Sequence, residues 1–298
     1  MPFPLRPFLR ACRPLHAVKN LLLFTPLLAG HCTDKLTWFN TVLAAIAFTC
    51  AAAAGYLIND VKDAALDRTH PIKNLRPVAA HQLAPRWALG GAGFLLGAAL
   101  ALATQLPRAF IPFILAYPAL SLLYSLLLRR LAGLDLLAIT AFFVLRVVAG
   151  GAASGIWPSP WLLAFVGALA LALAGCKRHA ELQRLSDEGA SEEVVQAPGR
   201  GWWTHHRALL LGIAAGASCG AVGVLAAYTQ SPAATLLYAH PARLLALPLI
   251  LALWLARLIR LTRQGKVNED PLIFALTDWA AWVAATAGVA AAVWAGMA

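Results

Sequence analysis

Charge is what this sequence has least of. Only 12% of its 298 residues are Asp, Glu, Lys or Arg, whereas 60% are hydrophobic and the mean hydropathy is +0.70. An ordinary soluble domain carries about twice that share of charge, so a water-facing surface over the whole molecule is excluded. Cysteine is sparse too: Cys12, Cys32, Cys50, Cys176 and Cys219 are scattered, odd in number and without Cys-x-x-Cys spacing. Neither a disulfide framework nor a zinc site is supported, and the five read as packing residues. Soluble domains, low-complexity tracts and clear internal repeats are missing as well, so residues 1–298 read as one domain. The 24 Lys and Arg exceed the 13 Asp and Glu by 11. Nucleic-acid binding would need that excess on one face of a soluble module with aromatic or helical readers; no such module is present, and no nucleic-acid partner is expected.

What is abundant is apolar sequence in lengths near the roughly 20 residues that cross a hydrocarbon core as helix. Backbone groups in lipid must pair internally, so these stretches are expected to be helical. The spans are placed at 16–31, 38–58, 87–104, 109–128, 134–156, 160–176, 207–227, 242–260 and 274–297, which makes an all-α polytopic membrane protein of nine transmembrane helices. The first resembles a signal peptide, with Arg6, Arg10, Arg13 and Lys19 ahead of the apolar run 21–29. It is kept as a helix, although it is short and Pro26 interrupts it. An N-in, C-out topology puts twenty of the 24 cations on the inner side and only Lys35, Arg108 and Arg243 outside, as the positive-inside rule requires. Asp34 is then the only outer acid, so the chemistry is expected at the cytoplasmic face of the membrane.

At the inner end of the second span, Asp60, Asp63 and Asp67 stand at i, i+3 and i+7, which on one helix gives them a common face. Pro71 disfavours helix at His70, so the three carboxylates fall in the last turns, at the negative end of the helix dipole. A hard divalent cation compensates such a cluster, and Mg²⁺ characteristically joins one or two carboxylates to substrate phosphates. Arg68, His70, Lys73 and Arg76 follow and supply donors for those phosphates. The alternative is a solvated loop in which acids and bases merely pair.

The pattern Asn59-Asp60-x-x-Asp63-x-x-x-Asp67 resembles the UbiA superfamily of intramembrane prenyltransferases, and the resemblance spans essentially the whole chain. Its extension, Asp67-Arg68-x-His70-Pro71-x-Lys73-x-x-Arg76-Pro77, is similar to the branch typified by decaprenyl-phosphate phosphoribosyltransferase, which moves 5-phosphoribose from phosphoribosyl diphosphate to a polyprenyl phosphate. Three more stretches resemble that branch: Arg13-Pro14 with Lys19-Asn20 and Pro26-Leu27-Leu28, Leu123-Tyr124-Ser125 through Asp135 to Arg146, and Lys177-Arg178-x-x-Glu181. Aromatic prenyltransferases of the superfamily usually carry a second Asp-x-x-x-Asp after helix six. Here that place offers Lys177, Arg178 and Glu181, with Asp187 and Glu188 farther on, which suits a phosphate-rich donor and leaves the number of metal ions open.

The resemblance implies a transferase in the cell membrane with Asp60, Asp63 and Asp67 as catalytic, Mg²⁺-binding residues. Phosphoribosyl diphosphate and a polyprenyl phosphate are the implied partners, and a homo-oligomer is left open. Lys19 and Asn20 at the inner mouth of helix one, Asn59, Tyr124, Lys177, Arg178 and Glu181 are the further substrate-binding candidates. The plainer roles are anchoring for Lys19, an interfacial position for Tyr124 and an i, i+4 surface pair for Lys177 with Glu181. Arg146 lies about 18 Å into its helix, which makes it a functional candidate by default or else a structural hydrogen-bonder between packed helices. Asp135, eleven residues earlier, is expected on the same face. Glu269, Asp270 and Asp278 are expected to cap the last helix, and the small residues 149–155 to let helices approach closely. A quinone-pathway prenyltransferase is the alternative activity, and a non-enzymatic lipid carrier the alternative class.

Overall fold

The computed structural model describes residues 4–69, 73–188, 194–267 and 270–297. Among them every regular element is helical, apart from one isolated antiparallel bridge between Gln196 and Trp203. Among the described residues eight helices are long and apolar enough to cross a membrane, and the protein is a multi-pass membrane protein. The chain forms two compact units, residues 1–127 with 145–158, and residues 128–144 with 159–298.

The first unit starts with α1 (Leu5–Ala11), a 3-10 segment (Pro14–Phe24) and α2 (Thr25–Ala29), followed by α3 (Lys35–Lys62), α4 (Ala64–Arg68), α5 (Pro85–Ala103) and α6 (Ile111–Leu126). The end of α7 (Leu134–Ser154), from Leu145 onward, also belongs to it. Asp34 caps α3 by accepting from the Thr37 amide at 2.8 Å, and Pro85 opens α5 where its missing N–H costs nothing. The helix α3 is the unit's axis, packed against the 3-10 segment, α5 and α6. Ala44, Ala47, Ala51 and Ala54 are buried along it, and these small side chains permit the close approach that packing in lipid rewards.

The expected first helix, 16–31, takes a different form: eleven residues are 3-10 and only five are α. A 3-10 helix aligns positions three apart and rises about 2.0 Å per residue. The burial follows that period, with Asn20 and Leu23 buried on one row and Leu15 and Leu21 exposed on another. Gly150 in α7 explains how the segment is held, because a Cβ there would run into the Leu23 carbonyl oxygen. The small-residue stretch 149–155 thus admits the segment's backbone, and Ala149, Ala152 and Ala153 are buried with it.

The second unit contains the start of α7, then α8 (Pro160–Glu188), α9 (Arg207–Thr229), α10 (Pro232–Leu237), α11 (Ala246–Arg263), α12 (Pro271–Thr277) and α13 (Trp279–Gly296). It packs as a chain of neighbours, α8 on α9, α9 on α11 and α11 on α13. Leu173, Cys176, Ala214, Leu255 and Leu258 form one of its cores. The expected span 160–176 continues as helix to residue 188, so Lys177, Arg178 and Glu181 lie within it. The expected last helix is two helices, capped by Asp270 and Asp278 through the Leu272 and Ala281 amides; Glu269 lies outside the described residues. On α13, Trp279 and Trp282 near one end and Trp294 near the other are exposed, the placement of aromatic residues at the two interfaces of a bilayer. All five cysteines are free thiols.

Candidate functional site

In the first unit the Asp motif is brought to a set of arginines. The helix α3 ends at Lys62, and Asp63 (φ −90°, ψ 1°) joins it to α4. The one continuous helix expected through Asp67 therefore bends at Asp63, although the ladder survives the bend: the Asp63 amide donates to Asn59 and the Asp67 amide to Asp63, both at 2.8 Å. The side chains of Asp60 and Asp67 are 2% and 4% exposed, which rules out a solvated acidic loop. Burying carboxylates demands partners. Arg13 donates to Asp60 Oδ1 at 2.6 Å, while Arg76 donates to Asp67 Oδ2 at 2.7 Å and stands 3.5 Å from Asp60 Oδ1.

From the sequence Arg13 carries no site role beyond its place in the Arg13-Pro14 stretch. It precedes the 3-10 segment with φ 52° and ψ 64°, a left-handed conformation that a non-glycine residue seldom adopts, and its guanidinium lies 4.9 Å from the Tyr56 ring centroid. Arg76 follows the 3-10 turn Lys73–Leu75, in which Lys73 is half-buried. Arg68 is exposed, with Nε reaching the Ala79 carbonyl at 3.4 Å. His70 lies outside the described residues.

The residue before the motif is also engaged. Ser125 Oγ donates to Asn59 Oδ1 at 2.6 Å, and Lys62 Nζ donates to the Ser125 carbonyl at 2.6 Å. Ser125 is buried, and its neighbour Tyr124 is half-buried near the end of α6. Lys19 is half-buried in the 3-10 segment, but Asn20 is not beside it at an inner mouth. Asn20 Nδ2 donates to Thr49 at 2.8 Å, and its Oδ1 accepts from Arg146 Nε at 2.9 Å. Thr49 precedes Asp60 by eleven residues of helix, about 16 Å. The departure follows from the 3-10 winding, which turns adjacent residues about 120° apart. Arg146 also donates to the Tyr117 hydroxyl at 2.8 Å, so side chains, not backbone carbonyls alone, receive this intramembrane cation.

In the second unit a different constellation holds Asp135, Arg178 and Glu181. Asp135 is fully buried and accepts from Arg178 Nε at 2.5 Å, Arg178 Nη2 at 3.0 Å and Trp202 Nε1 at 3.0 Å. Arg178 Nη1 donates to Glu181 at 2.7 Å, and Glu181 accepts in turn from Arg200 at 2.8 Å. Two carboxylates and two guanidiniums thus neutralise one another. The expectation that Arg178 faces a substrate phosphate is corrected here: it is 2% exposed and its fork is committed to protein carboxylates. The network fastens the hairpin-like turn 195–204, whose Ala197 and Trp202 backbones pair at 2.8 Å. Gly201 lets that turn lie against 130–132, since a Cβ there would meet the Arg130 carbonyl. Lys177, expected to bind substrate or else to pair with Glu181, forms a 2.7 Å bridge to Asp270, a partner far along the chain.

The three carboxylates expected to hold magnesium together with substrate phosphates are not gathered into one cluster. Among the described residues no group of three or more His, Cys, Asp and Glu side chains is gathered closely enough to hold an ion. The reason is the bend at Asp63 together with the capture of Asp60 and Asp67 by arginines. The donor set still fits a magnesium ion that shares its shell with phosphate. Two buried carboxylates converge on a single cationic group, Arg76, and hard oxygen donors in that number are what Mg²⁺ takes from protein.

The sequence profile of the UbiA prenyltransferase family matches residues 21–277. The uncharacterized protein y4nM of Sinorhizobium fredii is 34% identical over 94% of this chain, which spans 54% of that protein's length. The nodulation protein NoeC of Azorhizobium caulinodans is 30% identical over 92% of this chain and 88% of its own. A decaprenyl-phosphate phosphoribosyltransferase of Mycolicibacterium smegmatis is 36% identical over 61% of this chain and 59% of that one. Among solved structures, a UbiA homolog from Archaeoglobus fulgidus bound to GPP and Mg²⁺ superposes with a TM-score of 0.69 at 18% identity, covering 96% of this chain and 99% of that one.

Proposed function

The chain belongs to the UbiA prenyltransferase family and is a transferase, and on that premise we propose that it moves 5-phosphoribose from phosphoribosyl diphosphate to a polyprenyl phosphate at the cytoplasmic face of the membrane. The whole chain is read as one catalytic domain. The observation that carries the reading is the pairing of buried Asp60 and Asp67 with Arg13 and Arg76, a site with donors for both a divalent cation and a phosphate-rich ligand. The partial match to decaprenyl-phosphate phosphoribosyltransferase supports the choice of donor and acceptor.

Asp60 and Asp67, with Asp63 at the bend, would hold magnesium, which when bound supplies charge compensation for a leaving diphosphate. Arg13, Arg68, Lys73 and Arg76 receive its phosphate oxygens, because forked or pointed cations match phosphate geometry. Asn59, Lys19 and Tyr124 line the approach. The lipid phosphate oxygen forms its bond to C1 of the ribose as the bond from C1 to diphosphate breaks, and the electron pair leaves with the diphosphate. The nucleophile is already ionised, so no strong general base is needed. Asp135, Arg178 and Glu181 serve as scaffold for the 195–204 turn, and Arg146 with Asn20 holds the 3-10 segment.

The test is incubation of purified protein in detergent with Mg²⁺, a polyprenyl phosphate and radiolabelled phosphoribosyl diphosphate, followed by lipid extraction. Label is expected in the lipid phase, and is expected to disappear with EDTA or in Asp63→Asn. Label that stays in water, with turnover instead of a prenyl diphosphate and an aromatic acceptor, would overturn the proposed donor.

A further inference from the structure

We propose that Arg13 and Arg76 are internal counter-ions that keep a divalent cation off Asp60 and Asp67 until diphosphate arrives, so that cation and diphosphate enter the site only together. The proposal rests on the reading of the Asp60–Asp67 site given above. It begins with the accounting of charge. Two carboxylates this buried need compensation when no substrate is present, and the guanidiniums provide it at 2.6 and 2.7 Å. A doubly charged cation arriving alone has to displace both arginines. It then leaves two cations stranded a few ångströms from itself, where their repulsion is doubled by its charge and little screened by solvent.

Diphosphate removes that obstacle. It offers each displaced guanidinium two anionic oxygens of a phosphoryl group, which the planar fork can engage with paired hydrogen bonds as it does a carboxylate. The exchange therefore leaves neither the two carboxylates nor the two guanidiniums without a counter-charge. The geometry allows it, because neither arginine belongs to the helices that carry the aspartates. Arg13 stands between α1 and the 3-10 segment and Arg76 after the turn Lys73–Leu75. Their side chains are 25% and 26% exposed, so each can swing outward while the carboxylates stay fixed. The left-handed backbone at Arg13 is a conformation retained at positions where placement outweighs local preference. Here it aims the guanidinium at Asp60, over the Tyr56 ring.

Such a partner exchange makes cation and diphosphate binding mutually reinforcing, by an equal factor in both directions. The measurement is Mn²⁺ binding to the full-length protein in detergent, followed by the electron paramagnetic resonance of free Mn²⁺ with and without inorganic diphosphate and corrected for manganese diphosphate in solution. Wild type is expected to bind Mn²⁺ alone about tenfold or more weakly than with diphosphate, and Arg13→Gln or Arg76→Gln to tighten binding of Mn²⁺ alone by about tenfold. Arg13→Lys keeps the charge and is expected to keep Mn²⁺ alone weak, which a purely structural role would not distinguish. Equal affinity with and without diphosphate in wild type, or no tightening in whichever glutamine variant remains monodisperse, overturns the exchange while leaving the site intact. Absence of Mn²⁺ binding in both conditions, unchanged by Asp60→Asn, overturns the reading of the site and the exchange with it.

Discussion

Arg178 meets Asp135 with two nitrogens, Nε at 2.5 Å and Nη2 at 3.0 Å, and neither side chain is more than 2% exposed. A pair this deep is worth little compared with two apolar groups of the same shape, but removing Arg178 leaves the buried Asp135 carboxylate without its two-nitrogen partner, still facing Trp202 Nε1 at 3.0 Å and Arg200 at 3.7 Å.

Arg178→Met is accordingly expected to destabilise the protein by about 3–5 kcal/mol, read as a large drop in thermal unfolding temperature in detergent. Arg178→Met combined with Asp135→Leu is expected to recover much of that loss, since the orphaned carboxylate is gone. Equal instability of the single and double variants would show that packing, not charge, dominates there.

Arg146→Met removes the donors to Asn20 and Tyr117, both buried. An unsatisfied buried group costs about 1–3 kcal/mol, so the 3-10 segment is expected to loosen. Faster amide exchange confined to residues 14–24 is the expected signature, and uniform exchange across the chain would contradict it.

Gly150→Val puts two methyl groups where the Leu23 carbonyl already lies. Overpacking of this kind costs about 1–3 kcal/mol or more. Gly90, whose added Cβ meets nothing within 4 Å, is the matched control: Gly90→Ala is expected to leave the unfolding temperature unchanged or slightly raised, since alanine favours helix.

Asp34 caps α3 with its carboxylate, and the Thr37 amide and then the Thr37 hydroxyl hold its pKa below the ordinary aspartate value. A lowered folded pKa contributes stability above the unfolded pKa and loses it as pH falls through the folded one. Wild type is therefore expected to lose stability relative to Asp34→Asn only in the acid range below the usual carboxylate titration, with the difference constant near neutrality. A difference that changed near pH 7 instead would assign the effect to another group.

The helical class and the place of the Asp motif could be read from the sequence because both depend on local composition and on spacing along one helix. Partner choice could not. Lys177 has Glu181 four residues away, yet bridges to Asp270 93 positions on, and no periodicity encodes such a pairing. The pairing of Arg13 with Asp60, and the parts played by Tyr117, Arg200 and Trp202, were missed for the same reason. One signal was available: Gly199-Arg200-Gly201-Trp202 has the glycine spacing of a tight turn presenting an Arg and a Trp. The first span departs from the expected α-helix because an apolar run alone is compatible with either winding. The three-residue recurrence of Ala17, Asn20 and Leu23 is the feature that suits the tighter winding.

That winding makes the segment from Pro14 to Phe24 a three-sided strut whose length depends on its twist. Eleven residues extend about 22 Å as a 3-10 helix but only about 16 Å as an α-helix. With its far end pinned where Leu23 lies against Gly150, relaxing to the commoner winding would draw the near end back by about 6 Å. Arg13 at that end would then lose its reach to Asp60.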